Sequence, residues 1–278
     1  MDVDVGIVAQ RDNERAHELA DALVDALERE SESVVVDEST GDAIDAPGVP
    51  VAEMATCDIV VSIGGDGTLL FVAREVDSTP ILGVNLGEVG FLNAVAPADA
   101  IEVVTDVVAR LRNREALEER TLCRLRATGL EGEWTLEPAL NEVVVHGPRR
   151  GHGGGATIEV RVGGQLYAES HADGVLVATP TGSTAYNLSE GGPVVHPTVD
   201  ALVVTQMAAT DAMPPLVLDP GAELTLSISG SDTAYAISDG RNRRRLEPPA
   251  TVSVSLADDP VTLVGPEANF VAGLEKLE

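Results

Sequence analysis

The chain has 278 residues, of which 46 are acidic and 18 are basic, so its formal net charge is −28. This acidity argues against nucleic acid as a partner, because a phosphate backbone requires a basic binding surface. Since 44% of the residues are apolar, the chain is not a disordered acidic polymer, and it is long enough for one large or two medium domains.

Composition also indicates a compartment. The acidic excess and the single lysine, Lys276, resemble a cytoplasmic protein of an extreme halophile. In molar salt the Debye length falls to about 3 Å, so surface carboxylates repel one another less.

The distant Cys57 and Cys123 predict no disulfide framework. The N-terminus lacks a signal-peptide pattern and no run reaches the ~18 apolar residues of a membrane helix, so we expect no membrane association.

The first third of the chain alternates predicted strands and helices. An acidic loop containing Gly41 is expected after the second strand. Helices are expected over Asn13–Glu28, where apolar residues recur at helical spacing, and from Pro97 onward. The predicted strands are Val3–Val8, Ser33–Val36, Asp58–Ile63 and Ile81–Val84. This alternation predicts a Rossmann-like α/β domain with a parallel sheet and a crevice at the carboxyl ends of its strands.

From about Arg112 the apolar period becomes two, which predicts an all-β sandwich. One helix is expected to interrupt it near Ser183–Ser189. The candidate strands are Thr121–Ala127, Glu142–Val145, Ala156–Val162, Gln165–Ser170, Gly174–Ala178, Leu202–Gln206, Glu223–Ser229, Thr233–Ser238, Thr251–Leu256 and Val261–Leu263. We therefore predict an α/β domain over residues 1–117, joined by the tail 266–278, and a β-sandwich domain over residues 118–265.

The run Gly64-Gly65-Asp66-Gly67-Thr68 directly follows an apolar strand. Glycine adopts φ > 0 readily, so the run predicts a sharp turn whose N–H groups can bind phosphate, followed by a helix whose N-terminus also favours phosphate. Asp66 is suited to accepting a proton from an attacking hydroxyl or to holding a metal ion. A plain tight turn explains the same residues equally well.

A second candidate site runs from Asp173 to Pro193 as a buried strand, a hydroxyl-rich loop and a short helix. Ser183 or Thr184 can cap that helix, and Tyr186 offers a flat face for stacking a purine. Such a loop also occurs without any function, but its density of polar groups beside glycine and tyrosine favours a site.

The pair Asn141-Glu142 opens a predicted strand. Neighbouring strand residues face opposite ways, so both contact one ligand only at the end of the strand. Taken alone, a solvated strand end is the simpler interpretation.

In this order and spacing, Gly64–Thr68, Asn141-Glu142 and Thr179–Tyr186 resemble the NAD kinase family, whose members phosphorylate the 2′-hydroxyl of NAD with ATP or polyphosphate. The likeness covers almost the whole chain. It includes Asn85-Leu86-Gly87, Gly90-Phe91-Leu92, Gly191-Gly192-Pro193, Asp239-Gly240 and Lys276-Leu277.

The resemblance implies an active site between the two domains, Mg²⁺ bridging the donor phosphates with no residue assigned as a metal ligand, and a homodimer or homotetramer. Asp66 is the implied proton acceptor. The implied ligands of the phosphate donor are Gly64, Gly65, Gly67 and Thr68. The implied NAD contacts are Asp66, Gly67, Phe91, Asn141, Glu142, His152, His171, Asp173, Thr181, Thr184, Ala185, Tyr186, Asn187, Leu188, Ser189 and Arg241.

One departure from the family pattern is Arg241, which stands where the family often has glutamine and which begins the cluster Arg241–Arg245. Phosphate binding and a salt-bridged surface loop both explain this basic cluster.

Three other functions are compatible with parts of the sequence. A lipid or sugar-phosphate kinase of the same fold is disfavoured by Asn141-Glu142 and the run around Tyr186. A serine hydrolase using Ser183, with His196 and Asp173 nearby, is disfavoured because the chain has no Gly-x-Ser-x-Gly elbow. A non-catalytic dinucleotide sensor is disfavoured by Asp66, since a pure binder needs no base.

Overall fold

The computed structural model describes residues 3–30, 32–87, 91–149, 151 and 154–275. The described helices are α1 Glu14–Arg29, α2 Glu38–Ile44, α3 Asp66–Glu75, α4 Ala100–Asn113, α5 Tyr186–Ser189 and α6 Phe270–Leu274. The described strands are β1 Asp4–Ala9, β2 Ser33–Asp37, β3 Gly48–Val49, β4 Ile59–Gly64, β5 Ile81–Asn85, β6 Glu119–Leu122, β7 Leu125–Gly129, β8 Glu142–His146, β9 Ala156–Val162, β10 Gln165–Ala172, β11 Gly174–Ala178, β12 Leu202–Met207, β13 Leu216–Leu218, β14 Leu224–Ser229, β15 Ala234–Ser238, β16 Asn242–Leu246, β17 Ala250–Leu256 and β18 Val261–Val264.

The chain divides into two compact units. Unit 1 comprises Met1–Leu122 with Pro260–Glu278, and unit 2 comprises Cys123–Asp259. None of the helices in the described ranges has the combination of length and hydrophobicity needed to span a bilayer.

Unit 1 is built on a sheet in the order β3-β2-β1-β4-β5-β18-β6. The strands from β3 to β18 in this order are parallel, and β6 at the edge is antiparallel to β18. The predicted α/β domain with a parallel sheet is therefore confirmed. Strands β1 and β4 are neighbours, and the N–H of Gln10 donates to the carbonyl of Ile63 at 2.8 Å. The segments that follow these two strands consequently lie side by side.

Helix α1 forms where the sequence predicts it. The side chain of Asn13 caps its N-terminus by accepting from the N–H of Ala16, and the apolar face is buried against the sheet. The predicted acidic loop after β2 is wrong, because residues 38–44 form α2. Asp37 caps this helix through the N–H of Ser39 at 3.1 Å.

Unit 2 is a sandwich of two antiparallel sheets, in the orders β10-β9-β14-β17-β7 and β13-β12-β11-β8-β15-β16. Alternate residues of both sheets, such as Val143, Val175, Ile158 and Leu226, share one buried core. The predicted β-sandwich is therefore confirmed.

The predicted single strand Thr121–Ala127 is wrong, since its two halves belong to different sheets. Strand β6 ends at Leu122 in the sheet of unit 1, and β7 begins at Leu125 in unit 2. Between them the buried Arg124 donates from Nε to the carbonyl of Asp259 at 2.6 Å and pairs with the carboxylate of the same residue. This contact ties the two ends of unit 2 together.

Candidate active site

Asp66 is the first residue of α3, two residues beyond the end of β4. Its carboxylate accepts three hydrogen bonds from one segment that follows β5. Oδ2 accepts from the N–H of Phe91 at 3.0 Å, while Oδ1 accepts from the N–H of Leu92 at 3.3 Å and from Nδ2 of Asn93 at 3.2 Å. A half-buried carboxylate held in this way has a fixed orientation and remains partly open to a ligand.

The glycines around Asp66 differ in role from the sequence-based prediction. None of Gly64, Gly65 and Gly67 has a positive φ, so the expected left-handed turn is wrong. A Cβ on Gly64 would lie 2.5 Å from Oγ1 of Thr68, which explains the glycine by close packing. A Cβ on Gly65 or Gly67 would meet no heavy atom within 4 Å. The N-terminus of α3 is therefore open at these two positions, which suits the approach of an anionic group.

Arg120 is hydrogen-bonded to the segment that holds Asp66. Its Nη2 donates to the carbonyl of Leu92 at 3.2 Å. Burial lowers the pKa of Arg120, and the negative charges of Glu267 and Asp66 oppose that change. Sequence reasoning missed this residue, because its position far from Asp66 in the chain carries no local signal.

In unit 2, Asp239 fixes the start of β8. Its carboxylate accepts from the N–H groups of Leu140 at 2.8 Å, Asn141 at 2.8 Å and Glu142 at 3.1 Å. Its own N–H donates to the carbonyl of Glu142 at 3.0 Å. Asp239 and Gly240 both have positive φ and form the turn between β15 and β16. The Asp-Gly pair was visible in the sequence as a hairpin signal, but its contact with Asn141-Glu142 was not.

Glu142 is 6% exposed, so it does not lie on a solvated strand end. Burial and then the negative charge of Asp239 raise its pKa to about 7, while a hydrogen bond from the backbone of Tyr186 opposes the rise. Its Oε2 has no hydrogen-bond partner among the described residues. The structure thus brings Glu142, Tyr186 and Asp239 together, with one buried carboxyl oxygen that no described residue hydrogen-bonds.

The loop after β11 is attached to the residues that precede β8. Thr179 donates from its N–H to the carbonyl of Asn141 at 2.9 Å and from Oγ1 to that of Leu140 at 2.6 Å. The same Oγ1 accepts from the N–H of Gly182 at 3.0 Å. A Cβ on Gly182 would lie 2.0 Å from the carbonyl oxygen of Asn141, so only glycine permits this approach.

Ser183 is fully buried and hydrogen-bonded to the backbone on both sides. Its Oγ donates to the carbonyl of Pro180 at 2.7 Å and accepts from the N–H of Val195 at 3.0 Å. It therefore does not cap α5, as the sequence suggested, and it is not placed to act as a nucleophile. The predicted capping by Thr184 is also wrong, since its Oγ1 bonds to the carbonyl of Thr181 and the residue before α5 is Ala185, which has no side-chain cap.

Asn187 is also used inside the protein rather than presented to a ligand. Its Nδ2 donates to the carbonyls of Ser183 and Pro193, its Oδ1 accepts from Oγ1 of Thr205 at 2.8 Å, and the residue is 0% exposed. Its neighbours keep partial exposure, namely Thr181, Thr184, Ala185, Tyr186, Leu188 and Ser189.

The remaining predicted NAD contacts lie at several places. Asp173 accepts from the N–H of Gly151 at 2.7 Å, and Nε2 of His171 lies 2.9 Å from the carbonyl of Gly154. Arg241 is exposed in the turn after Asp239. His152 lies outside the described residues.

The basic cluster is a strand rather than a surface loop, since Arg243, Arg244 and Arg245 belong to β16. The guanidinium carbon of Arg243 lies 3.4 Å from the ring centroid of Tyr235, and that of Arg244 lies 6.0 Å from Trp134. Among the described residues, Arg243 and Arg244 therefore make cation–π contacts in place of the salt bridges that the sequence suggested.

Comparisons with known proteins give a consistent result. A family model described as the ATP-NAD kinase N-terminal domain matches residues 5–111, and one described as the ATP-NAD kinase C-terminal domain matches residues 140–265. The chain is 54% identical over 282 residues to an NAD kinase of Haloarcula marismortui, an alignment that covers 98% of this chain and 99% of the relative.

Two solved structures share the fold. One is yeast NADH kinase complexed with NADH, with a TM-score of 0.85, 22% identity and coverage of 99% of this chain and 87% of that chain. The other is an NAD kinase from Archaeoglobus fulgidus in complex with ATP, with a TM-score of 0.78, 23% identity and coverage of 99% and 98%.

Proposed function

The chain belongs to the NAD kinase family, and we propose that it transfers the γ-phosphate of ATP, or a phosphate of polyphosphate, to the 2′-hydroxyl of the adenosine ribose of NAD. The observation that carries the mechanism is the fixed carboxylate of Asp66 at the open N-terminus of α3. The acceptor hydroxyl must lose a proton as it attacks, and the donor must be held in line, so a base beside a phosphate-binding backbone suits this reaction.

In this proposal unit 1 binds the phosphate donor and supplies the base. The N–H groups at the start of α3 bind phosphate oxygens, with Gly64, Gly65, Gly67 and Thr68 forming the approach. Asp66 accepts the proton of the 2′-hydroxyl.

Unit 2 binds NAD through Asn141, Glu142, Asp173 and Tyr186. Oε2 of Glu142, which has no partner among the described residues, supports this assignment, because a ligand hydroxyl would stabilise such a buried carboxyl oxygen. Asn187 serves by fixing the loop, since its amide is fully engaged. Phe91, His152, His171, Thr181, Thr184, Ala185, Leu188, Ser189 and Arg241 remain predicted contacts.

The described residues do not fit a metal ion held by the protein. They contain no group of three or more His, Cys, Asp or Glu side chains placed to bind one. We therefore assign Mg²⁺ to the donor, where phosphate oxygens bind it and it neutralises their charge.

Location in the cytoplasm of an extreme halophile and assembly as a homodimer or homotetramer are also part of this proposal. The acidic, lysine-poor composition and the family resemblance support them. Light scattering in molar KCl distinguishes dimer, tetramer and monomer.

Replacing the base tests the mechanism. We expect Asp66→Asn to bind NAD with little change and to turn over roughly 10²–10⁴-fold more slowly, the usual contribution of a general base. The assay follows NADP formation in molar KCl, and calorimetry measures NAD binding.

Asp77→Asn is the matched control, because Asp77 is an exposed aspartate just beyond the C-terminus of α3. This control is expected to keep parental turnover. Normal turnover by Asp66→Asn would remove Asp66 from its role. Consumption of a sugar phosphate or diacylglycerol in place of NAD would show that the phosphate acceptor is not NAD.

A further inference from the structure

Asn93 is 1% exposed and lies beside the proposed base. Its Nδ2 and the N–H of Leu92 both donate to Oδ1 of Asp66, whereas among the described residues Oδ2 accepts only from the N–H of Phe91. An ionised carboxylate has about four acceptor positions, two on each oxygen. Both positions of Oδ1 are therefore filled, and the open position lies on Oδ2.

The orientation of the Asn93 amide is determined by Asp66. The other end of the amide, Oδ1 of Asn93, is buried without a hydrogen-bond partner among the described residues. Turning the amide over would place this oxygen against Oδ1 of Asp66, where two acceptors would face each other without a proton between them. The observed orientation thus keeps the donor on the carboxylate and leaves the carbonyl unpaired, which is a local cost that a purely structural asparagine does not explain.

Gly83 provides the space for this arrangement. It lies within β5, and a Cβ built on it would be 2.2 Å from Oδ1 of Asn93. Any side chain at this position would displace the amide from Asp66. Both the glycine in the strand and the asparagine beyond it are therefore needed for the contact.

We propose that Asn93 is a positioning residue, which saturates Oδ1 of Asp66 and leaves Oδ2 as the atom that accepts the proton. This inference rests on the proposed function, in which Asp66 is the base. The O–H bond of the 2′-hydroxyl breaks and its proton moves to Oδ2. The electron pair of the hydroxyl oxygen forms the bond to the γ-phosphorus, while the bond from that phosphorus to the bridging oxygen breaks and ADP leaves.

Two substitutions at Asn93 test the inference. Asn93→Leu removes the donor at similar volume, and Asn93→Asp keeps the shape but replaces the donor with an acceptor. We expect each to lower kcat by roughly 10-fold or more, the effect of losing one hydrogen bond to a charged group, and to leave KM for NAD and ATP within about twofold of the parent. The acid limb of the kcat–pH profile is expected to move to higher pH in Asn93→Leu, since a carboxylate with fewer donors binds a proton more readily.

Gly83→Ala provides an independent way to remove the hydrogen bond from Asn93 to Asp66, because it displaces the amide and leaves both Asn93 and Asp66 in the sequence. It is expected to show the same loss of kcat and the same shift of the acid limb. Ser62→Ala is the matched control, since Ser62 pairs with Gly83 in the neighbouring strand and its buried Oγ has no partner among the described residues. This control is expected to keep parental kcat and pH profile.

The inference is overturned if Asn93→Leu or Asn93→Asp has the parental kcat and pH profile, or if the loss lies wholly in KM. A purely structural role of Asn93 would lower stability without moving the acid limb of the kcat–pH profile. An unchanged acid limb in Asn93→Leu therefore also counts against the inference. Failure of the inference is distinct from failure of the proposed function. If Asp66→Asn is slow while the Asn93 variants match the parent, only the positioning role is lost.

Discussion

At the scale of single residues, Glu142 shows how folding changes the chemistry of a carboxyl group. The sequence marked it only as part of a polar pair at the start of a strand. Its burial, and the charge of Asp239 close by, depend on contacts between residues 97 positions apart. Sequence patterns indicate that a carboxyl is present, but they do not show a shift in pKa caused by a distant partner.

This shift predicts how stability changes with pH. The pKa of Glu142 is about 7 in the folded protein, against 4.5 for an ordinary glutamate. Its contribution to the unfolding free energy is therefore fully present below about pH 4.5 and is lost as the pH rises through about 7, a change of about 3 kcal/mol.

Glu142→Gln removes this titration. We expect the unfolding free energy of the variant, relative to the parent, to increase between pH 4.5 and pH 8, as measured by urea unfolding in molar KCl. Glu223→Gln, at an exposed position, serves as the control and should show a difference that does not vary with pH. A constant difference for Glu142→Gln as well would contradict the raised pKa.

At the scale of elements, the sequence located the loop after β11 but not its internal structure. The order of strand, hydroxyl-rich turn and short helix was predicted and is present. The hydroxyls of Thr179 and Ser183, however, bond to the backbone of other segments rather than capping the helix. These partners come from the residues before β8 and from the residues after α5, so local pattern does not determine them.

Helix α2 was missed for a similar reason. Its sequence includes Ser39, Thr40 and Gly41, which have low helix propensity. A Cβ on Gly41 would lie 2.7 Å from the carbonyl of Ala46 and 2.9 Å from the N–H of Gly48. The glycine lets the chain after the helix pack closely against it, an arrangement that propensity alone does not predict.

The attachment of the loop to the residues before β8 is testable through Thr179. Thr179→Val removes an Oγ1 that both donates and accepts, and it leaves the carbonyl of Leu140 and the N–H of Gly182 without that partner. We expect the unfolding free energy to fall by roughly 2–4 kcal/mol and KM for NAD to rise, because each lost buried partner costs about 1–3 kcal/mol.

The control for this substitution is Thr105→Val on α4, where the hydroxyl bonds, within the described part of the chain, only to carbonyls of its own helix. Its effect on stability is expected to stay below about 0.5 kcal/mol. Equal effects of the two valine substitutions in urea unfolding would show that Thr179 does not hold the loop.

At the scale of the whole molecule, the periodicity of the apolar residues predicted the two kinds of architecture, but strand pairing sets where each begins. The change of period near Arg112 led to a sequence boundary at residue 118. In the structure β6 and β18 complete the sheet of unit 1, so that unit extends to Leu122 and resumes at Pro260. Pairing between strands so far apart in the chain leaves no local signal in either one.

The net charge of −28 predicts a dependence on salt. In dilute buffer the repulsion among surface carboxylates extends over tens of ångströms, whereas in molar KCl it is screened within about 3 Å. We expect the far-ultraviolet circular dichroism signal of the fold to be lost on dialysis from molar KCl into dilute buffer.

Neutralising exposed carboxylates should lower the salt concentration at which the fold is lost. Asp42→Asn, Asp211→Asn and Glu223→Gln combined remove three charges at exposed positions, so this variant is expected to unfold at lower KCl than the parent. An unchanged spectrum of the parent across the whole salt range would refute the electrostatic origin of the effect.

Strand β18 lies between β5 and β6 in the sheet, although the whole of unit 2 separates it from both in the chain. A ribosome releases β5 and β6 long before β18 leaves its exit tunnel, so the nascent protein spends most of its synthesis with a gap in this sheet. During that interval the free edge of β5 is open to pairing with neighbouring chains. Translation that stops early within unit 2 therefore yields a product in which the sheet of unit 1 stays incomplete, although most of that unit has already been synthesised.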